Sequence, residues 1–348
     1  GSVDATAIAL NSTTNSIMFQ SDVAANTLTT GNSNFDLVFS EDVTVTSDVN
    51  FGVIDDLTFG NDVSDIATFT GGLSTTFVGG TVTLFGALRT SAQQLDLGNI
   101  TLGSAVTIDT TNNGNATAGA TLNVAQITGG GNNLDLNSGA AAINVSGSVS
   151  GIPTLEILNS GGATFQNSID VTTLTLTDTD AGSTISFQGN VSATTLGTTA
   201  NGYNLQFLED VSITNDVVFA AIGNLTFGNA SDDVALFTSG LDTTGVSGVT
   251  SLNGFVRSQG TQLDFGAISL GSNTTVDTTN NAGTPATGGN INVGAVTGAN
   301  NQLTLRSGTT GLLNIASVTG VSTLTVSNSN GASFTGDVNA TSVVLSDT

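Results

Sequence analysis

The chain has 348 residues, of which 27 are acidic and only three are basic, so its formal charge at pH 7 is −24. The three basic residues are all arginines, and histidine, cysteine and tryptophan are absent. This composition excludes catalytic triads, thiol nucleophiles, Schiff-base lysines and ordinary zinc sites, and it makes nucleic acid an unsuitable partner because phosphate contacts need Lys or Arg.

Taken in chain order, the predicted elements are short β-strands between turn residues. Val, Ile, Leu and Phe recur between Gly, Asn, Asp and Ser, which is typical of strands joined by tight turns. In residues 17–23 (IMFQSDV) and 37–43 (LVFSEDV), an aliphatic residue and a phenylalanine lie two positions apart and so share one face of a strand. The 20-residue spacing of this pattern predicts a structural ladder of phenylalanines at Phe19, Phe39, Phe59, Phe187, Phe207 and Phe227.

A long internal repeat organises the whole chain. Residues 208–229 restate residues 40–61, so that Glu209 corresponds to Glu41 and Phe227 to Phe59, an offset of 168. The opening motif at residues 3–6 (VDAT) returns at 169–172 (IDVT) and at 338–341 (VNAT). We predict one repeat unit over 3–168, a second over 169–337 and the start of a third over 338–348, within one continuous coil. We expect the array to continue beyond both ends.

The repeat length favours an all-β parallel β-helix, or β-solenoid. Division of 168 by eight predicts about 21 residues per turn, within the range of about 20–22 that two or three short strands and their corners require. Stacked turns would place each side chain on its own kind, which explains the abundance of Gly, Asn, Ser and Thr at corners. The alternative is a series of tandem β-sandwich repeats, although the chain lacks the tryptophan of a typical sandwich core.

Four aspartates are candidate calcium ligands, because hard cations prefer carboxylate and carbonyl oxygens. The competing interpretation is that they cap turns with their own side chains. Turn capping is favoured because the glycine-rich run at 129–135 lacks the spacing of calcium-binding β-rolls. We therefore predict no cofactor other than a possible structural calcium at Asp62, Asp65, Asp232 and Asp233.

Two arginines recur at one place in each repeat, and each is followed seven residues later by an aspartate. Arg89 precedes Asp96, and Arg257 precedes Asp264. A substrate-binding arginine of a β-helical polysaccharide lyase is one interpretation. A structural Arg–Asp ion pair between adjacent turns is favoured, because an enzyme needs one site and not the same arginine in every repeat.

The phrasing of residues 333–345 (SFTGDVNATSVVL) and 186–196 (SFQGNVSATTL) resembles the repeat regions of very large bacterial surface proteins. These include autotransporter passengers, rickettsial outer-membrane adhesins and filamentous-haemagglutinin-like secreted adhesins. The resemblance implies export to the bacterial cell surface, a right-handed parallel β-helix, and a stalk or adhesive role.

The sequence therefore favours a non-enzymatic extracellular rod, a stalk segment of a bacterial surface adhesin. One alternative is a subunit that self-assembles into a filament, sheath or surface layer, and another is a β-helical polysaccharide-binding or lyase protein. The expected partners are like chains or a ligand on a host or cell surface, with head-to-tail self-association through the matching chain ends. No segment is apolar enough to predict insertion into a membrane.

Overall fold

The computed structural model describes residues 1–11, 15–282 and 286–348, which fold into two compact units, Gly1–Asp180 and Ala181–Thr348. The described residues form β-strands and connecting turns, with no helix among them. In the first unit the strands are β1 Val3–Leu10, β2 Ile17–Phe19, β3 Val23–Thr30, β4 Leu37–Phe39, β5 Val43–Val45, β6 Val49–Asn50, β7 Leu57–Phe59, β8 Ile66–Phe69, β9 Leu73–Ser74, β10 Val82–Thr90, β11 Leu95–Leu97, β12 Ile100–Asp109, β13 Leu122–Val124, β14 Ile127–Thr128, β15 Leu134–Asn137, β16 Ile143–Val145, β17 Val149–Asn159, β18 Ala163–Phe165 and β19 Ile169–Leu176. In the second unit they are β20 Thr184–Phe187, β21 Val191–Thr198, β22 Asn204–Phe207, β23 Val211–Ile213, β24 Val217–Val218, β25 Leu225–Phe227, β26 Val234–Phe237, β27 Leu241–Asp242, β28 Thr250–Arg257, β29 Leu263–Phe265, β30 Ile268–Asp277, β31 Ile291–Thr297, β32 Gln302–Arg306, β33 Leu313–Ser327, β34 Ala332–Phe334 and β35 Val338–Ser346.

Within each unit, the strands pair in parallel with the strand one turn away along the chain. Val3 lies opposite Val23, which is 20 residues later, and Val43 lies opposite Ala67, which is 24 residues later. The longest turn of the first unit places Val106 opposite Leu134, 28 residues later. The predicted parallel β-solenoid is therefore confirmed, with turns of unequal length. The β-sandwich alternative is wrong, because its sheets would need antiparallel ladders.

Three columns of buried side chains fill the core of the first unit, because each turn contributes three short strands. Successive members of a column are register partners, so aliphatic side chains stack on aliphatic side chains and exclude water along the whole column. The first column contains Ile17, Leu37, Leu57, Val82, Ile100, Ile127, Val149 and Ile169. The second contains Val3, Val23, Val43, Ala67, Leu88, Ile108, Leu136, Ile157 and Leu176. The third contains Val49, Leu73, Leu95, Leu122, Ile143 and Ala163.

The phenylalanines at 20-residue spacing stack ring on ring. The centroids of Phe19 and Phe39 are 5.2 Å apart and those of Phe39 and Phe59 are 5.7 Å apart, with interplanar angles of 5° and 11°. In the second unit, Phe207 lies 5.2 Å from Phe187 and 5.9 Å from Phe227, both at 16°. The in-register ladder imposes this parallel stacking, since equivalent atoms one turn apart must follow the spacing of the strands.

The sequence repeat and the coil have different periods. Val3 belongs to the second column, whereas Ile169, which holds the same place in the repeated motif, belongs to the first. From Val3 the chain makes seven turns to Ile157 and then passes Ala163 of the third column before it reaches Ile169. The prediction of eight whole turns per repeat is therefore wrong by one strand. The average of about 22 residues per turn still lies within the expected range.

Replacement of Phe39 by Ala should lower the free energy of unfolding by about 3–5 kcal/mol, because Phe39 is 1% exposed and its ring is stacked on both sides. Urea denaturation followed by circular dichroism measures this loss. Phe77→Ala is the matched control, since Phe77 is 67% exposed, and it should change stability by less than about 0.5 kcal/mol. Equal effects of the two substitutions would contradict the ladder as a source of stability.

Candidate functional site

Two of the candidate calcium ligands, Asp65 and Asp233, occupy equivalent places in the two repeats and are buried. One carboxylate oxygen of Asp65 accepts hydrogen bonds from the backbone N–H groups of Asn61 and Asp62, at 2.7 and 2.8 Å. Asp233 accepts the corresponding bonds from the residues at 229 and 230, at 2.6 and 2.7 Å. Both aspartates therefore cap a turn, since the backbone donors use the oxygen that a cation would need.

The other two candidates, Asp62 and Asp232, are not equivalent to each other. Ala230 occupies the place of Asp62 in the second repeat, and Ser64 occupies the place of Asp232 in the first. Asp62 is exposed, and hydrogen bonds from the backbone and hydroxyl of Ser64 hold the pKa of Asp62 below its ordinary value. Within residues 1–11, 15–282 and 286–348, no three acidic side chains lie close enough together to hold a metal ion.

The predicted ion pairs do not form, because the arginine and the aspartate lie on different strands. Arg89 is in β10, where its register partners are Thr68 and Asp109, whereas Asp96 is in β11, opposite Ser74 and Asn123. The seven residues between them carry the chain around a corner of the coil. Asp264 is likewise in β29, one strand beyond the β28 strand that carries Arg257.

Asp96 instead terminates a ladder of amide side chains. Its carboxylate accepts hydrogen bonds from Gln94, at 2.9 Å to each oxygen, and from Asn123 at 2.6 Å. Asn144 then donates to Asn123 at 2.9 Å. The second repeat builds the same chain of bonds on Asp264, with donors at Gln262, Asn292 and Asn314. Both aspartates are therefore structural acceptors that stabilise adjacent turns.

Arg89 lines an open groove of about 440 Å³ on the surface of the first unit. The outward residues of three successive strands form one wall, because Thr107, Asp135 and Glu156 are register partners of one another. Apolar side chains supply the remaining surface, with Asn133 and Thr154 at the rim. The apolar lining consists of Val63, Ile66, Ala87, Ala105 and Val106.

A glycine shapes the edge of this groove. Gly86 has a φ of +60°, and a β-carbon there would lie 2.2 Å from the carbonyl oxygen of Asp65. The register of β10 against β12 shifts between Leu84 and Gly86. The strand therefore approaches the capped turn closely only because the residue has no side chain.

The electrostatics of the groove are unbalanced. Burial raises the pKa of Asp135, the negative charge of Glu156 raises it further, and a hydrogen bond from Thr107 partly opposes both effects. Glu156 also accepts a hydrogen bond from the hydroxyl of Thr177. Arg89 makes no hydrogen bond to any described residue, and its Nε atom is buried without a partner. The groove thus presents two neighbouring carboxylates and an unused guanidinium.

The second repeat has a different surface at the equivalent positions. The register partners there are Phe255, Thr275, Thr304 and Thr325, so a ring replaces the methyl group of Ala87 and hydroxyls replace both carboxylates. The guanidinium of Arg257 lies 4.4 Å above the centre of the Phe255 ring, in a cation–π contact. The recurrence of the arginine therefore conceals two different environments.

Sequence reasoning missed Asp135 and Glu156 because it looked for features that both repeats share. The signal that could have found them is the difference between the repeats. At an offset of 169, Asp135 and Glu156 become Thr304 and Thr325, while the apolar residues on either side remain apolar.

Tyr203 is a further difference between the repeats. It is fully buried at the place that Phe35 occupies in the first repeat. Its hydroxyl has no hydrogen-bond partner of good geometry, although the backbone of Thr199 lies close enough to favour the ionised form slightly. Burial is the larger effect and raises the pKa of Tyr203 well above its ordinary value.

Comparison with models of protein families, with curated proteins and with solved structures found no match for the chain. The described residues contain no helix of the length and apolarity that a membrane crossing requires. Any functional statement about this chain therefore depends on its own residues and their geometry.

Asp65→Ala should lower the free energy of unfolding by about 1–2 kcal/mol, because two buried backbone N–H groups lose their acceptor. Asp62→Ala is the control and should have little effect, since alanine occurs naturally at position 230. Thermal unfolding with and without calcium or a chelator should give the same melting temperature. A large shift on chelation would contradict the assignment of these aspartates as turn caps.

Tyr203→Phe should stabilise the protein by about 1 kcal/mol at neutral pH, since the substitution removes a buried hydroxyl without a good partner. The reciprocal Phe35→Tyr should destabilise it by about 1–3 kcal/mol. Urea denaturation measures both changes. A loss of stability in Tyr203→Phe would show that the hydroxyl is satisfied.

Alkaline pH provides a separate test of Tyr203. Because its folded-state pKa is raised, the neutral phenol stabilises the fold fully below about pH 10, and this contribution falls by about 1.4 kcal/mol per pH unit above that. Tyr203 is the only tyrosine, and the chain has no lysine or cysteine to titrate in the same range. Tyrosinate absorbance should therefore appear only as the second unit unfolds, and Tyr203→Phe should lose less stability. Ionisation near pH 10 with the fold intact would contradict this prediction.

Proposed function

We propose that this chain is a structural repeat segment of an extracellular stalk, part of an adhesin that a bacterium displays on its surface. The observation that carries the proposal is the in-register stacking of each unit, in which every turn buries its apolar side chains against the next. Such a coil gains stability turn by turn and can be extended by adding further turns. A stalk needs this property, because its length must be adjustable without loss of stiffness.

The composition supports work outside the cell. The coil needs no disulfide, since the chain has no cysteine, and it contains only three arginines and no lysine for trypsin-like proteases. Its negative charge is diffuse, with 27 acids spread over the whole length. Diffuse charge of one sign keeps the surface soluble and opposes pairing between exposed strand edges.

The resemblance to repeat regions of autotransporter passengers and filamentous-haemagglutinin-like adhesins supports the bacterial surface as the location. The motif that carries this resemblance, Phe-x-Gly-x-Val, has a physical role in each unit. Phe187 is in the phenylalanine ladder and Val191 begins the next strand of the second unit. No enzymatic activity is proposed, and the partners on this proposal are like chains or a surface ligand.

An antibody raised against the purified chain tests the location. It should label intact cells of the source bacterium, and protease added to those cells should release the epitope. A cytoplasmic protein detected only after lysis serves as the control for cell integrity. Labelling that requires permeabilised cells would contradict an extracellular stalk.

The filament, sheath or surface-layer alternative is separated by self-association. Sedimentation of the purified chain should show a monomer across a wide range of concentration if the stalk proposal is right. Growth of polymers with concentration, seen also by electron microscopy, would favour an assembling subunit instead.

A further inference from the structure

The groove of the first unit has unused donors and unused acceptors on facing surfaces. On one side, the guanidinium of Arg89 donates no hydrogen bond to a described residue and its Nε is buried. On the other side, Asp135 and Glu156 are direct register partners on adjacent strands, where like charges oppose each other. An isolated stalk would gain stability from replacing either group, so their presence requires an explanation other than packing.

The second repeat shows that the scaffold does not need these groups. Thr304 and Thr325 stand in the places of Asp135 and Glu156, and the ring of Phe255 lies under Arg257 where Ala87 leaves space under Arg89. The β-strand registers of the two repeats are otherwise alike at these positions. The first repeat therefore differs from a stable version of itself by an open floor and two charges.

The residues of the groove define the chemistry of its ligand. An anion would be repelled by the carboxylates and a cation by Arg89, so neither kind of ion pairs with all three groups. A hydroxyl group both donates and accepts, so a ring that carries several hydroxyls can accept from Arg89 and donate to Asp135 and Glu156. Its C–H surfaces can rest on Ile66, Ala87 and Val106, which line the same groove.

We propose that this groove binds a neutral saccharide. Its volume of about 440 Å³ lies within the range of small-molecule sites, and Asn133 and Thr154 at the rim offer further hydrogen bonds. Arg89, Asp135 and Glu156 are the polar groups that orient the sugar. The proposal is independent of the stalk function, because a coil of either location or assembly state could carry the groove.

The test uses the full chain on an array of immobilised neutral, acidic and amino saccharides, followed by titration of the best binder in solution. Neutral saccharides should bind best. Asp135→Thr combined with Glu156→Thr, which copies the second repeat, should weaken binding by at least about tenfold, because two charged acceptors are lost. Circular dichroism and thermal unfolding establish that the variant is folded.

A charge-matched control separates the groove from the general negative charge of the chain. Asp170→Asn combined with Asp337→Asn removes the same number of charges at exposed positions outside the groove. This control should bind saccharide as the wild type does. Equal weakening in both variants would overturn the proposal.

Other ligands are outcomes that would also overturn it. Spermidine and calcium chloride, titrated at matched ionic strength, should show no saturable binding that depends on Asp135 and Glu156. Selective binding of either probe would assign the groove to a cation instead. An array with no neutral saccharide bound would remove the proposal altogether.

Discussion

The constraint on which the structure depends is parallel stacking in register. Each strand forms hydrogen bonds with the strand one turn before it and the strand one turn after it, so a side chain meets the residue at the same place in the neighbouring turns. The rings of Phe19, Phe39 and Phe59 are nearly parallel because this geometry leaves them no other arrangement. The composition follows from the same constraint, since stacked lysines or histidines would repel one another whereas stacked Asn side chains bond to each other.

Stacking also limits how turns can differ. A longer turn is tolerated only if its extra residues leave the column and form a loop with its own hydrogen bonds. Asp109 and Asp277 make this possible, because each is buried at a strand end and accepts hydrogen bonds from the backbone and hydroxyl of the threonine two residues later and from the backbone of an asparagine four residues later. The loop is thus anchored inside the coil while the strands before and after it keep their register.

Much of the fold could be predicted because the constraint writes itself into the sequence as a period. The 20-residue spacing of the phenylalanines gives both the length of the first turns and the identity of the stacked rings. The Arg89–Asp96 pair was wrong because linear spacing does not reveal a corner between two residues. The groove could not be predicted from the pattern of repetition, since Asp135 and Glu156 are residues at which the repeats differ. Their cross-strand contact also depends on an extra loop whose length sets the register.

The contrast between Ala87 and Phe255 has a consequence for how such chains change over evolutionary time. Buried positions are restrained by their neighbours above and below, so a substitution in a column is disfavoured unless the stack adapts with it. Outward positions carry no such restraint, and two copies of one coil can diverge there while both remain folded. Duplication therefore supplies this architecture with spare surface, on which one copy can acquire a new chemistry while the other retains the older one.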